Sequence, residues 1–184
     1  MNCYKILNNQ IFTNEDYSFV PIRNQDRYLI MKWRNEQIYH LRQKTVLTEK
    51  DQDNYFVNII NPLFDQDEPE QLLFSYLKNG RCIGYGGLVH INWIDSNAEL
   101  SFLIDTELEK NEFDRHYSNY LKFINHLVFY KLFFNKVYSY AFDLRPHLYT
   151  IFENNGYQFE ARLSKHIFFN GKFIDVVIHS LIRK

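Results

Sequence analysis

The sequence predicts an α/β (α+β) domain, and three observations carry the prediction. Runs of alternating hydrophobicity and runs of helical periodicity follow one another in the order β-α-α-β-β-β-α-β-α-β-β, with no repeat, low-complexity tract or linker between them. Asn170-Gly171 separates two long alternating runs, the strongest short-range sign of an antiparallel hairpin. The longest helical stretch, Asp114 to Phe133, places Tyr117, Tyr120, Leu121, Ile124, Leu127, Val128 and Leu132 at helical spacing. At 184 residues the chain reads as one domain, 1–184, with its core in 17–182.

Taken in order, Tyr17 to Ile22 is a short apolar run closed by Arg23-Asn24 and reads as a strand. Asp26 then caps a helix from Arg27 to Glu36. Thr48 and Asp51 form a capping box for a second helix, with Tyr55, Phe56, Ile59 and Ile60 on its inner face. Pro62, Pro69 and nearby acidic residues mark a surface loop over Asn61 to Glu70. Leu72 to Leu77 is a strand, and Gly80-Arg81 after Asn79 marks a hairpin turn. Ile83 to Trp93 carries Gly84, Gly86 and Gly87, so it is a strand with a bulge or a close backbone approach. Ala98 to Ile104 alternates, with Ala98, Leu100, Phe102 and Ile104 on one face and Glu99 and Ser101 on the other. Beyond the long helix, Val137 to Phe142 is a strand. Pro146 suits the first position of a last helix that stops near Gly156. Tyr157 to Phe169 and Phe173 to Ile182 form the closing hairpin.

Composition narrows the function. Twenty-one Lys plus Arg against 22 Asp plus Glu leave a net charge of -1, without the basic excess of a nucleic-acid or anionic-membrane binder. No apolar run approaches the ~20 residues of a membrane span. Cys3 and Cys82 are too few and too far apart for a zinc knuckle, a redox pair or a disulfide framework. The seven histidines show no metal-ligand spacing, so no metal is expected. The start of the chain lacks a basic stretch followed by an apolar one, and a cytoplasmic protein is expected.

Four segments stand in order along this pattern: Lys32-Trp33-Arg34-Asn35, Ile83-Gly84-Tyr85-Gly86-Gly87-Leu88, Ala98-Glu99-Leu100-Ser101-Phe102 and Phe152-Glu153-Asn154-Asn155-Gly156-Tyr157. Together with the element order they resemble the GNAT superfamily of acyl-CoA-dependent N-acyltransferases, over nearly the whole chain. The Trp-Arg-Asn segment is closest to the branch that acetylates ribosomal-protein N-termini and nucleotide-linked amino sugars. The resemblance implies a six- to seven-stranded, mixed, mostly antiparallel sheet flanked by about four helices. It also implies transfer of an acetyl or other acyl group from acetyl-CoA or a related acyl-CoA to a primary amine, such as an amino-sugar nucleotide or another small amine. A protein N-terminus is the alternative within the class, and a homodimer through the last strands is compatible with it.

The same resemblance distributes roles. Glu99 stands where the family often has a glutamate that removes a proton from the substrate ammonium through water, and His90 ends the preceding strand. Phe102, Leu103 and Ile104 would offer backbone to the pantetheine arm, and Arg34 and Asn35 would contact substrate. The family's Arg/Gln-x-x-Gly-x-Gly/Ala loop, whose backbone N–H groups receive the CoA pyrophosphate, falls on Glu112-Phe113-Asp114-Arg115-His116-Tyr117. No glycine is there, yet Arg115, His116 and Tyr117 occupy the cofactor-binding positions, and Arg145 replaces an Asn that often touches CoA. Phe152 stands where the family often has a tyrosine that protonates the CoA thiolate, with Tyr149 one turn earlier as a substitute. The absent glycines and Phe152 leave a second reading open: a catalytically silent, GNAT-like binding module.

Overall fold

The structure is a computed structural model that describes residues 3–184. It is a mixed α/β fold with nine strands in a mostly antiparallel sheet and four main helices. The chain divides into two compact units. One comprises the residues up to Ile91 together with Ser101–Phe113, the other Asn92–Leu100 together with Asp114–Lys184.

In the first unit, β1 (Phe12–Asn14) and β2 (Tyr17–Pro21) form a hairpin, and β2 pairs with β3 (Leu72–Lys78), which pairs with β4 (Arg81–Asn92). The β3–β4 turn is Asn79-Gly80, with φ of 49° and 77°, the left-handed pair that a two-residue hairpin needs. Ile83 is the extra residue of a bulge, since Tyr76 pairs with Gly84 and Leu77 with Cys82. Aromatic stacking binds the layer together: Phe19 lies 4.4 Å from Phe74, and Tyr17 lies 5.5 Å from Tyr76.

Helix α1 (Arg27–Glu36) has the expected bounds but not the expected cap. The Asp26 carboxylate is buried and takes two bonds from Arg23 (2.7 and 2.9 Å) and one from the Ser75 hydroxyl (2.6 Å) instead. A buried carboxylate is costly unless a cation and hydrogen bonds satisfy it, and Arg23 and Ser75 do so here. Helix α2 (Glu49–Tyr55) does carry the Thr48–Asp51 capping box. It continues through a wide π-type turn, Phe56–Ile60, into Asn61–Leu63. Phe56 and Ile60 are buried while Tyr55 and Ile59 keep 36% and 43% of their surface exposed, so the apolar stripe is narrower than its sequence suggests.

Strand β5 (Asn97–Ile104) and helix α3 (Thr106–His126) contribute residues to both units. α3 starts earlier than its apolar repeat because Asp105 accepts from the Glu107 N–H (3.0 Å) and caps it. It breaks at Glu112, whose φ of −132° and ψ of 17° are not helical. In the second unit, β5 runs parallel to β6 (Lys136–Tyr138). The expected strand from Val137 to Phe142 is split into β6 and β7 (Ala141–Phe142), both antiparallel to β9 (Lys172–Ile182) in one register. At the break the Ser139 hydroxyl, in place of a carbonyl, accepts from the His179 N–H (3.2 Å). This split and the unforeseen β1 account for nine strands where six or seven were expected. Helix α4 (His147–Asn154) follows, and β8 (Gln158–Phe169) pairs with β9 across the Asn170-Gly171 turn. Among the described residues β8 pairs with β9 alone.

Candidate active site

Glu99 is buried, with 8% of its surface exposed, and lies in the half of β5 that belongs to the second unit. The parallel ladder of β5 and β6 runs over Asn97–Lys136, Ala98–Val137 and Glu99–Tyr138 and stops there, although β5 continues to Ile104. The carboxylate therefore stands at the last rung of a ladder that ends in mid-strand.

The continuation of β5 is anchored within the first unit. The Ile104 carbonyl accepts from Gln37 Nε2 (2.7 Å), and Asp105 N–H donates to the Ile83 carbonyl (2.8 Å). A Cβ on Gly84 would come within 2.7 Å of the Leu103 carbonyl oxygen and one on Gly87 within 1.9 Å of that of Leu72. Gly84 thus lets β4 approach the Leu103–Ile104 backbone closely, and Gly87 lets it approach β3. His90 is exposed near the end of β4, with a φ of 48°.

α1 presents Arg34 to β4. Arg34 Nη1 donates to the Tyr85 hydroxyl (2.7 Å) and Nε to Gln43 Oε1 (3.0 Å). Asn35 has a supporting part: its amide donates to the Leu47 carbonyl (2.9 Å), and its oxygen accepts from Leu47 N–H (2.8 Å) and Gln43 Nε2 (2.9 Å). Arg34 and Asn35 are thus joined through Gln43. Tyr55, nearby, donates to Gln71 Oε1 (3.3 Å), and burial pushes its phenol up to about 12.

The break at Glu112 begins a second helical run, in whose first turns Arg115 is exposed while His116 and Tyr117 are buried. Tyr117 stacks on Tyr120 at 6.0 Å and meets Phe152 edge-on at 5.5 Å. Burial raises its phenol far above the ordinary value, with half-buried Arg145 opposing the shift. Phe152 is a core residue.

The Tyr149 hydroxyl donates to the Asp143 carboxylate, which also pairs with Arg162; Arg162 reaches Asp175 at 3.1 Å. Burial first, then the Asp143 bond, raises the Tyr149 phenol, while Tyr149 and then Arg162 hold Asp143 below the usual carboxylate range. His179 is stacked on Tyr149 (5.2 Å) and Phe152 (5.3 Å). Several residues of these clusters, among them Tyr85, Gln43, Asp143 and Arg162, were not singled out in the sequence. Tyr85 had a signal, its place on the glycine-rich strand; Asp143 had none.

A family profile described as an acetyltransferase (GNAT) domain matches residues 20–178. The chain belongs to the GNAT acetyltransferase family. It is an acyl-CoA-dependent N-acyltransferase, with acetyl-CoA or a related acyl-CoA as co-substrate. No curated protein sequence matches it. Among solved structures, a spermidine N-acetyltransferase from Vibrio cholerae in complex with CoA and spermine is similar at a TM-score of 0.77 and 19% identity, covering 92% of this chain and 96% of that one. The same enzyme's dodecameric structure in an intermediate state gives 0.74 and 19%, covering 92% and 95%. These likenesses show the GNAT fold. Among the described residues no cluster of His, Cys, Asp and Glu would hold a metal, and no helix is long and apolar enough to cross a membrane.

The residues of this GNAT chain fit CoA in one respect that the missing glycines obscured. A helix start presents backbone N–H groups whatever its side chains, and the non-helical Glu112 creates such a start ahead of Arg115.

Proposed function

We propose that this GNAT protein transfers an acyl group from acyl-CoA to the primary amine of a small molecule, with Glu99 as the general base. The observation that carries the reading is the buried Glu99 carboxylate at the last rung of the β5–β6 ladder. In this reading CoA supplies the thioester. The amides at the start of the second α3 run, with Arg115 and Arg145, hold its phosphates. Glu99 takes the proton from the attacking ammonium, directly or through one water, so that the amine can attack. A spermidine-like polyamine, an amino-sugar nucleotide and a peptide N-terminus are all acceptors to be tried. Any self-association is assigned to the open edge of β8 and is read by sedimentation.

The test is release of CoA thiol from acetyl-CoA in the presence of an amine panel, with the wild type and Glu99→Gln. We expect at least one amine to be acetylated, and Glu99→Gln to lower kcat by about 100-fold or more while acetyl-CoA binding by calorimetry stays within about twofold. Unchanged kcat in the variant removes Glu99 from the mechanism. Absence of acetyl-CoA binding removes the enzyme reading and leaves the silent module.

A further inference from the structure

Arg34 is half-buried and has no carboxylate partner among the described residues. Its two acceptors, the Tyr85 hydroxyl and the Gln43 amide oxygen, are neutral, and they use two of the five N–H donors of a guanidinium. On the following helix Asp53 is committed elsewhere, since it pairs with Arg27 at 2.7 Å and accepts from the Tyr28 hydroxyl at 3.0 Å. Tyr85 is 94% buried, at 6% exposure, and its hydroxyl oxygen receives the Arg34 bond. Its own proton has no acceptor among the described residues. A buried hydroxyl proton and a half-buried cation at one point, both short of acceptors, are costly unless something supplies the missing oxygen. The arrangement is also held in place, since Gln43 is fixed by Asn35 and Asn35 by both backbone groups of Leu47.

Resting on the acyltransferase reading above, we propose that Arg34 and Tyr85 form a receptor for an anionic oxygen group, carboxylate or phosphate, on the acceptor amine. Arg34 supplies the charge and a planar set of donors, and Tyr85 adds the converging O–H. The acceptor class is then an amine that also bears an acid. A bare polyamine would bring positive charge to Arg34 and gain nothing from it.

The experiment compares pairs of amines that differ only in the acid. Glucosamine 6-phosphate against glucosamine tests phosphate, and phenylalanine against phenethylamine tests carboxylate. Each is titrated calorimetrically into the wild type, Arg34→Gln and Tyr85→Phe, and each is assayed for acetylation. In the wild type the acidic member of at least one pair should bind about tenfold or more tightly than its partner. Arg34→Gln should abolish that preference and Tyr85→Phe should reduce it severalfold. Which pair shows the preference identifies the acid. Equal binding within both pairs, or a preference that survives Arg34→Gln, overturns the proposal. Circular dichroism verifies that the variants fold, and Arg34→Lys, which keeps the charge, should retain part of the preference. Binding without turnover of any amine would leave the receptor standing and remove the acyltransferase reading; turnover of neutral and acidic amines alike would do the reverse.

Discussion

Gly84→Ala perturbs the protein at the point where β4 supports β5. The added Cβ would sit 2.7 Å from the Leu103 carbonyl oxygen and 3.1 Å from the Ile104 Cα, both backbone atoms that cannot rotate away. Ordinary contact begins at 3.4 Å, so the strands must separate by about 0.7 Å at the closer atom. Overpacking of this kind costs about 1–3 kcal/mol. For a domain of this size that lowers Tm by roughly 2–12 °C, at about 2–4 °C per kcal/mol. The displaced residues are the ones assigned to the acyl-CoA arm, and misplacement by about 1 Å can cost on the order of 100-fold in rate. We therefore expect kcat/KM for acetyl-CoA to fall by about 10- to 100-fold. Gly80→Ala is the control: a Cβ there meets nothing within 4 Å, but the φ of +77° strains any other residue. It should cost roughly 1–2 kcal/mol and leave KM for acetyl-CoA unchanged. Scanning calorimetry and steady-state thiol release measure both quantities. Wild-type Tm and kcat/KM in Gly84→Ala, or an equal loss of activity in Gly80→Ala, would refute Gly84 as the support of the Leu103–Ile104 backbone.

Other variants test separate features. Tyr149→Phe removes the hydroxyl bound to Asp143 and should cost about 1–2 kcal/mol in urea unfolding, with kcat within about threefold; a 100-fold loss of kcat at unchanged stability would instead make Tyr149 the proton donor. Asp26→Ala leaves Arg23 and Ser75 facing a vacancy and should cost about 3 kcal/mol, measured by the same unfolding curves; a loss under 1 kcal/mol would contradict a stabilising pair. His179 is held below its ordinary value chiefly by burial, with Glu153 opposing. Its unfolded state therefore takes up a proton first as pH falls below about 6.5. Stability is full above that value and declines below it, until the folded form also protonates. His179→Phe should flatten that decline between about pH 6.5 and 5, and an unchanged slope would assign it to other groups.

The fold was legible wherever a local pattern and the tertiary demand agreed. The Thr48–Asp51 cap, the Asn170-Gly171 turn and the apolar stripe of α3 are of that kind, and the turn read at Gly80-Arg81 after Asn79 falls one residue earlier, on Asn79-Gly80. Asp26 failed as a cap because its choice of partner was settled by Arg23 and by Ser75, 49 positions further along the chain. The break of the Val137–Phe142 segment was hidden for a similar reason: Ser139 replaces a carbonyl only because His179 lies opposite. A helix begun at Thr106 by Asp105 has no apolar repeat in its first turn, and periodicity alone starts it too late.

The site shows the same division more sharply. Residue types at Glu99, Arg34 and Arg115 were visible in the sequence, because chemistry requires a base, a cation and a helix start in some order along the chain. What Arg34 does depends on which acceptors the fold brings to it, and a sequence does not show them. Arg34 is one of 21 basic residues in a chain balanced by 22 acidic ones, so composition pairs it off with an acid by default. Only the fold commits Asp53 to Arg27, leaves Arg34 with two neutral acceptors and buries the Tyr85 hydroxyl beside it. The proposed receptor therefore rests on unspent donors rather than on a motif. It follows that substituting the acids around it should leave acceptor choice alone, while substituting Arg34 should change it.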